Sequence, residues 1–359
     1  MAAARRQTDR AMSNYRDQHK GGGLFSAIEH QKEIAKRGTG ILKLRDVIDW
    51  EGFRPLLEEL SGYGGRDWSK GGQPPFDPVF MFKVLILQKY HGLSDDATEQ
   101  HIGDRFSFME FLGLAPGDGI PDAKTIWLFK ERLEEGGKEG GRRLFEDFTG
   151  RLEAKGLVAR EGSIVDASFT EAPRQRNTRE ENKRIKAGER PEEFDAEPAK
   201  GRQKDTDARW TKKNNETYFG YKNHAKVDLK SKLIIKGETT SAEVHDSRVF
   251  KELLDEKDEA VLADSACHSE ENENHVLEGI DAHEYLMRKG QRNRPLGEAE
   301  RKTNKAISRM RVRVEHVFGR MAQMGADYCR RIGIRRAVQH NHLANLAYNM
   351  DRCAFLCRA

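Results

Sequence analysis

Fifty-nine acidic side chains are spread along the 359 residues, and three of them fall where surface charge is a poor explanation. Asp166 sits inside the apolar run Ser163-Ile164-Val165-Asp166-Ala167-Ser168, and Asp264 closes the run Ala260-Val261-Leu262-Ala263-Asp264. Glu315 is the single acid in an arginine-rich stretch from Arg309 to Arg320. An ionised carboxylate at a buried strand is costly unless a cation or hydrogen bonds compensate it. Three carboxylates with no His or Cys among them form an all-oxygen donor set, which suits Mg²⁺ or Mn²⁺ better than zinc. For Glu315 a plainer partner is also at hand: Arg311, one turn earlier on the same helix face.

Each carboxylate needs an element to hold it. At Gly162 the pattern changes to a buried strand that delivers Asp166. Residues 171–213 then contain almost no large apolar side chain, with 13 basic and 10 acidic ones, so they read as a charged, largely disordered inserted loop. Strand-like runs at 218–229 and 233–240, joined by Lys230-Ser231-Lys232, form a hairpin. Lys222, His224 and Lys226 alternate onto one face of it, and Lys222 and Lys226 are candidate DNA contacts. A helix from Asp246 follows, with Asp246 read as its cap and His245 as a secondary polar group near the site. The strand ending in Asp264, a helix at 270–277, a strand at 283–287 and a long basic helix at about 298–324 complete a mixed α/β unit. A last helix at 343–356 has apolar residues at core spacing.

Upstream, residues 1–40 lack a sustained apolar period and read as a mobile tail with a short helix at 25–34. Residues 41–150 are helical: a segment at 46–60, then Asp77 as cap and Pro78 at the first position of a helix that is apolar nearly all round. Ser94 and Asp122 are caps of two further helices. Short capped helices suit a DNA-binding module of helix-turn-helix kind and equally a plain helical interaction domain. The expected division is thus a tail (1–40), a helical domain (41–150) and an α/β domain (160–356).

Hydrophobic residues make up 36% and charged residues 34% of the chain, and the formal net charge is only +4. Its distribution matters more than its size. From Arg288 to Arg336 fifteen Lys and Arg face four acids, a local footprint for phosphates. No run approaches the roughly 18 apolar residues of a membrane span, and the start MAAARRQTDR lacks the apolar core of a secretory signal. A cytoplasmic protein with no membrane partner is expected. His340, His342, Cys353 and Cys357 do not have the usual spacing of a structural zinc site.

The stretches GSIVDASF, VLADSACHSEEN and RVRVEHVFGRM, in that order, resemble the three catalytic blocks of DDE transposases of the insertion-sequence-five family. The upstream run FDPVFMFKVLILQKYHGLSDDATEQHIGDRFSFMEFLGL is similar to that family's amino-terminal domain. The resemblance implies a ribonuclease-H-like mixed sheet flanked by helices, with Asp166 on its first strand, Asp264 after the fourth and Glu315 on a late helix. With 51 positions between Asp264 and Glu315, there is no room for an extra β-domain. It further implies two Mg²⁺ ions, replaceable by Mn²⁺, on Asp166, Asp264 and Glu315 when DNA is bound, supporting in-line displacement at phosphorus. The partners implied are transposon ends and target DNA, held by a homodimer. The family carries Tyr, Arg and Lys at seven and four residues before the Glu and seven after; here these are Ser308, Arg311 and Ala322. Only Arg311 matches, and with Arg313 and Arg320 it is a candidate phosphate contact. Cys267 stands where the family usually has Tyr. A nuclease that does not join strands and an inactive DNA-binding descendant share much of this pattern.

Overall fold

The computed structural model describes residues 26–38, 40–63, 71, 73–213, 215–290 and 294–358. Helices α1 (Ser26–Arg37), α2 (Leu42–Val47), α3 (Arg54–Ser61), α4 (Pro78–Tyr90), α5 (Asp95–Asp104), α6 (Phe106–Leu112), α7 (Ala123–Glu134) and α8 (Gly140–Ala154) lead into strand β1 (Ser163–Glu171). After it come α9 (Arg179–Lys186), α10 (Glu193–Ala196), α11 (Pro198–Gly201), β2 (Arg209–Lys213), β3 (Glu216–Asp228) and β4 (Ile234–Ser241). The chain continues through α12 (Asp246–Leu253), β5 (Ala260–Ala263), α13 (Glu270–Asn274), β6 (His283–Leu286), α14 (Glu298–Gln323) and α15 (Ile334–Leu356). None of the described helices is long and apolar enough to cross a membrane.

Side-chain caps start the helices where the sequence places them. Asp77 accepts from the amides of Val79 and Phe80 ahead of α4, Ser94 from Ala97 ahead of α5, and Asp122 from Thr125 ahead of α7. The helix expected at 46–60 is interrupted. Pro55, lacking an N–H, fits only the first turn of a helix, so α3 starts anew at Arg54 after a 3₁₀ turn at Glu51–Phe53. The tail is also shorter than expected: α1 packs on α6, with Gln31 donating to the Leu114 carbonyl at 2.8 Å and His30 edge-on to Phe106. Residues 1–25 of that tail lie outside the described residues.

The charged insert is folded rather than disordered. Thr178 and Glu181 form a capping box on α9, and Ile185, Phe194 and Ala208 are buried. Asp205 accepts from the amides of Asp207 and Ala208 and from the Tyr221 hydroxyl, and β2 pairs onto the start of β3. A few apolar anchors suffice because the polar groups around them are bonded to each other.

Among the described residues the sheet has six strands and is mixed. β1 runs antiparallel to β3 and parallel to β5, β5 is parallel to β6, and β4 and β2 are antiparallel to β3. Ile164, Ala225 and Leu262 pack with α14 and α15 on one face, whereas Val165, Val261 and Ala263 pack with α12 on the other. This is the ribonuclease-H-like arrangement; β2, from the insert, is the added strand. The helical region is not separated from it, because one apolar cluster runs from Ile41 through Leu152 to Ile164, Leu262 and Ala354.

The element that joins the two parts is α15. It begins at Ile334, nine residues before the expected start, and is buried almost throughout from Ala337 to Ala354 although much of it is polar. Asn341, Asn345 and Asn349, four residues apart, face the sheet. Thr170 Oγ donates to Asn341 and Asn341 to Thr239 Oγ; Asn345 and Asn223 bond each other; Asn349 accepts from the Ile234 amide and donates to its carbonyl. A second joint is Glu131 on α7, which receives Arg331, Arg335 and Arg336. A third is the contact of Gly92 (φ +62°) with Gly325 (φ +70°), where a Cβ on Gly325 would lie 2.9 Å from the Gly92 Cα.

Two outcomes follow from these joints. Asn345→Leu leaves the Asn223 amide buried without its partner, so chemical denaturation of the variant should show a loss of about 1–3 kcal/mol; an unchanged midpoint would remove the asparagine face from the account. Burial raises the Glu131 carboxyl, but the hydrogen bonds of Arg336 and Arg331 outweigh it and hold it at about 2. A depressed carboxylate stabilises fully above its unfolded value of roughly 4.5, and the contribution is lost as pH falls from there towards 2. Between those limits the wild type should lose more stability than Glu131→Gln, as read by thermal unfolding at several pH values.

Candidate active site

Parallel pairing of β1 with β5 aligns Val165 with Ala263, so the residues that follow, Asp166 and Asp264, stand side by side. Asp166 shares its sheet face with Ala225, the face that α14 covers. From α14, Arg311 reaches both acids: Nη2 lies 2.7 Å from Asp166 Oδ2 and Nη1 3.6 Å from Asp264 Oδ1. The other carboxylate bonds are local, from the Ala167 amide to Asp166 Oδ1 at 2.8 Å and from the Ser265 amide to Asp264 Oδ1 at 2.6 Å. Burial is the largest influence on Asp166 and pushes its carboxyl up, against the pull of Arg311. Nη1 of Arg311 also approaches Met287 Sδ at 3.4 Å, while its buried Nε has no hydrogen-bond partner among the described residues.

Glu315 lies one turn further along α14 than Arg311 and is exposed. Among the described residues it makes no hydrogen bond or ion pair, and no group of three or more His, Cys, Asp or Glu converges as metal ligands would. The structure therefore brings two of the three acids together, around the guanidinium of Arg311, and leaves the third on the rim of the same helix. Arg311 was expected to meet a phosphate; its partners here are the two aspartates. Cys267, just after Asp264, is buried and its thiol is pushed up to about 12, mainly by that burial.

Two acids meeting one cation under a basic helix, one within β1 and the other just after the parallel strand β5, can be compared with known families. Residues 159–350 match the family described as Transposase DDE domain, which is more than half of the chain. The chain belongs to the DDE transposases. Residues 29–132 match a second family, described as Transposase domain (DUF772). No solved structure matches the chain. Asp166 lies on the first strand, Asp264 directly after the parallel strand β5, and Glu315 on the long helix α14.

The remaining candidates divide by sheet face and by partner. Lys222 and Lys226 pair across the ladder with Phe169 and Val165, so they lie on the face opposite Asp166. Lys222 Nζ bonds Asp246 at 2.9 Å and the Val244 carbonyl at 2.8 Å. Lys226 is fully buried, with Nζ 2.8 Å from Asp255 and 2.9 Å from Asp258. Both charges are met by acids of the same chain. His245, not Asp246, caps α12, accepting from the Ser247 amide, and Asp246 is held by Lys222. Arg313 is exposed and donates to the Leu229 carbonyl at 2.9 Å, while Arg320 bonds Asp351 at 3.0 Å and lies over the Tyr90 ring. Ser308 and Ala322 are exposed on α14. The sequence reading missed Asp255 and Asp258; the one hint was a lysine at an inward position of an apolar strand.

Lys226→Met takes the buried cation away from Asp258 and one of the cations away from Asp255, and removing one partner of a buried ion pair costs about 3–5 kcal/mol. Urea unfolding should show that loss for Lys226→Met and almost none for Arg313→Ala. Equal midpoints for the two would contradict the assignment of Lys226 to the interior.

Proposed function

We propose that this DDE transposase serves an insertion sequence of the insertion-sequence-five kind, binding its terminal inverted repeats, cutting there and joining the 3′ ends to target DNA. Asp166, Asp264 and Glu315 are its catalytic acids. The observation that carries the reading is the sharing of one cation by Asp166 and Asp264 beneath the helix that bears Glu315. Three carboxylates and no nitrogen or sulfur ligand fit hard divalent cations, with Mg²⁺ as the natural ion and Mn²⁺ as a substitute. When bound, two such ions would supply Lewis-acid assistance to the attacking hydroxyl and to the departing oxygen.

The chain's own residues do the rest. Arg311 balances the two aspartates in the free protein, and its position beside them suits a phosphate of the cut strand once those acids have other counter-charges. Arg301, Lys305, Arg309 and Arg313 recur every four residues along the exposed side of α14. None of these four is in an ion pair among the described residues, so their charge is free to meet a phosphate backbone. Two ends must be held for joining, which favours a homodimer on DNA, acting in the cytoplasm at the nucleoid.

The test uses the purified chain, Mg²⁺ and a labelled duplex carrying the repeat found beside the gene. Asp166→Asn, Asp264→Asn and Glu315→Gln should each abolish cleavage while keeping end binding, and Mg²⁺-dependent nicking retained by any of them rejects the site. Supplying pre-cut ends should yield joined products; hydrolysis without joining would make the enzyme a nuclease. Alanine at Arg301, Lys305 and Arg309 together should weaken binding across all sequences and flatten its dependence on log salt by about 0.9 per lost phosphate contact.

A further inference from the structure

A cavity of about 410 Å³ lies between the helical region and the segment that joins α14 to α15, and the chemistry at Asp166 makes no use of it. Its size is that of a small-ligand site. Six Lys or Arg side chains line it against two acids, Asp95 and Asp96. Asp95 is already taken by Lys130, and Glu131, behind the wall, takes Arg331 and Arg336. Among the described residues Lys89, Arg202 and Arg330 are then in no ion pair, with Asp96 as the acid left to the cavity.

Lys89 shows this best. Among the described residues its Nζ bonds only His340 Nδ1, at 2.6 Å, and His340 Nε2 faces the Ala326 carbonyl at 3.2 Å, so the lysine donates into the ring. No carboxylate among the described residues touches it, and burial draws its pKa down to about 7. Arg331, on the same wall, has a buried Nε with no hydrogen-bond partner among the described residues. Two aromatic side chains of the lining are open to solvent: Trp127 is 44% exposed and Tyr328 41%, with the Arg330 guanidinium 5.8 Å above the Tyr328 ring.

Donors short of an anion beside exposed aromatic faces match one ligand chemistry, a phosphate joined to a base. We propose that this cavity is a nucleotide-binding site, with the phosphate on Lys89 and Arg330 and the base against Trp127 or Tyr328. Tyr328 bridges to Glu171, five residues beyond Asp166 on β1. That is roughly 16 Å at about 3.3 Å per strand residue, close to the rise of five steps along one strand of B-form DNA. A nucleotide of the strand being cut and a free nucleotide are the two sources of this chemistry.

Calorimetric titration of the full chain with dTMP, inorganic phosphate and a six-residue oligo(dT) tests the assignment. The expected result is one dTMP site per chain, with phosphate binding more weakly because it cannot stack. Affinity should fall about tenfold or more in Lys89→Gln and in Arg330→Ala, the latter being a rim residue whose removal leaves the interior untouched. Asp166→Asn should bind dTMP as the wild type does, which keeps this site separate from the cleavage reading. Oligo(dT) competing with dTMP assigns the site to a DNA strand, and dTMP binding without competition assigns it to a free nucleotide. Absence of dTMP binding, or binding that both variants leave unchanged, overturns the proposal.

Discussion

A helix enclosed on every side can be polar only if its surroundings supply a partner for each group, and α15 imposes that condition on the whole molecule. The asparagine face of α15 takes its partners from β1, β3 and β4, and on its other side Gln339 donates to the Lys130 carbonyl of α7. Buried amides of this kind stabilise modestly when paired and cost much more when unpaired. Such bonds act mainly on geometry. They fix how the sheet, the helical region and the carboxyl end of β1 stand relative to each other, and Asp166 sits on that strand.

The acid pair shows the same logic applied to charge. Two aspartates on adjacent parallel strands would repel if both were ionised in a buried setting, and Arg311 relieves that repulsion from the covering helix. The opposite face of the sheet has its own answer, in which Lys226 is enclosed by Asp255 and Asp258 and Arg160 closes the group from outside. Both clusters contain close ion pairs. They differ in access: Asp264 is nearly half exposed and opens to solvent, whereas Lys226 and Asp258 are sealed.

How much of this could be read from residues alone depends on how local the cause is. The caps at Asp77, Ser94 and Asp122 and the apolar strands of Asp166 and Asp264 are local, and the structure has them where the sequence places them. The early start of α15 is not legible, because a helix rich in Asn, Gln and His carries no apolar period and its burial is decided by neighbours far along the chain. The insert misled for the same reason: Asp205 and Tyr221 are sixteen positions apart and only the fold makes them partners. For Lys222 and Lys226 the alternation holds, and only the pairing of Ala225 with Asp166 tells which side of the sheet they take. Arg311 is adjacent to Glu315 on the helix, but strand register gives it the aspartates instead.

Because α15 is wrapped by elements from both ends of the chain, the amino-terminal and carboxyl-terminal segments cannot be inherited or exchanged as independent modules. A fragment made from either alone would present to water a surface that the intact chain never shows, with apolar side chains such as Leu343, Leu346 and Met350 set among unpaired amides. Recombination between related elements should thus tolerate crossovers in exposed loops far better than at the junction near residue 157.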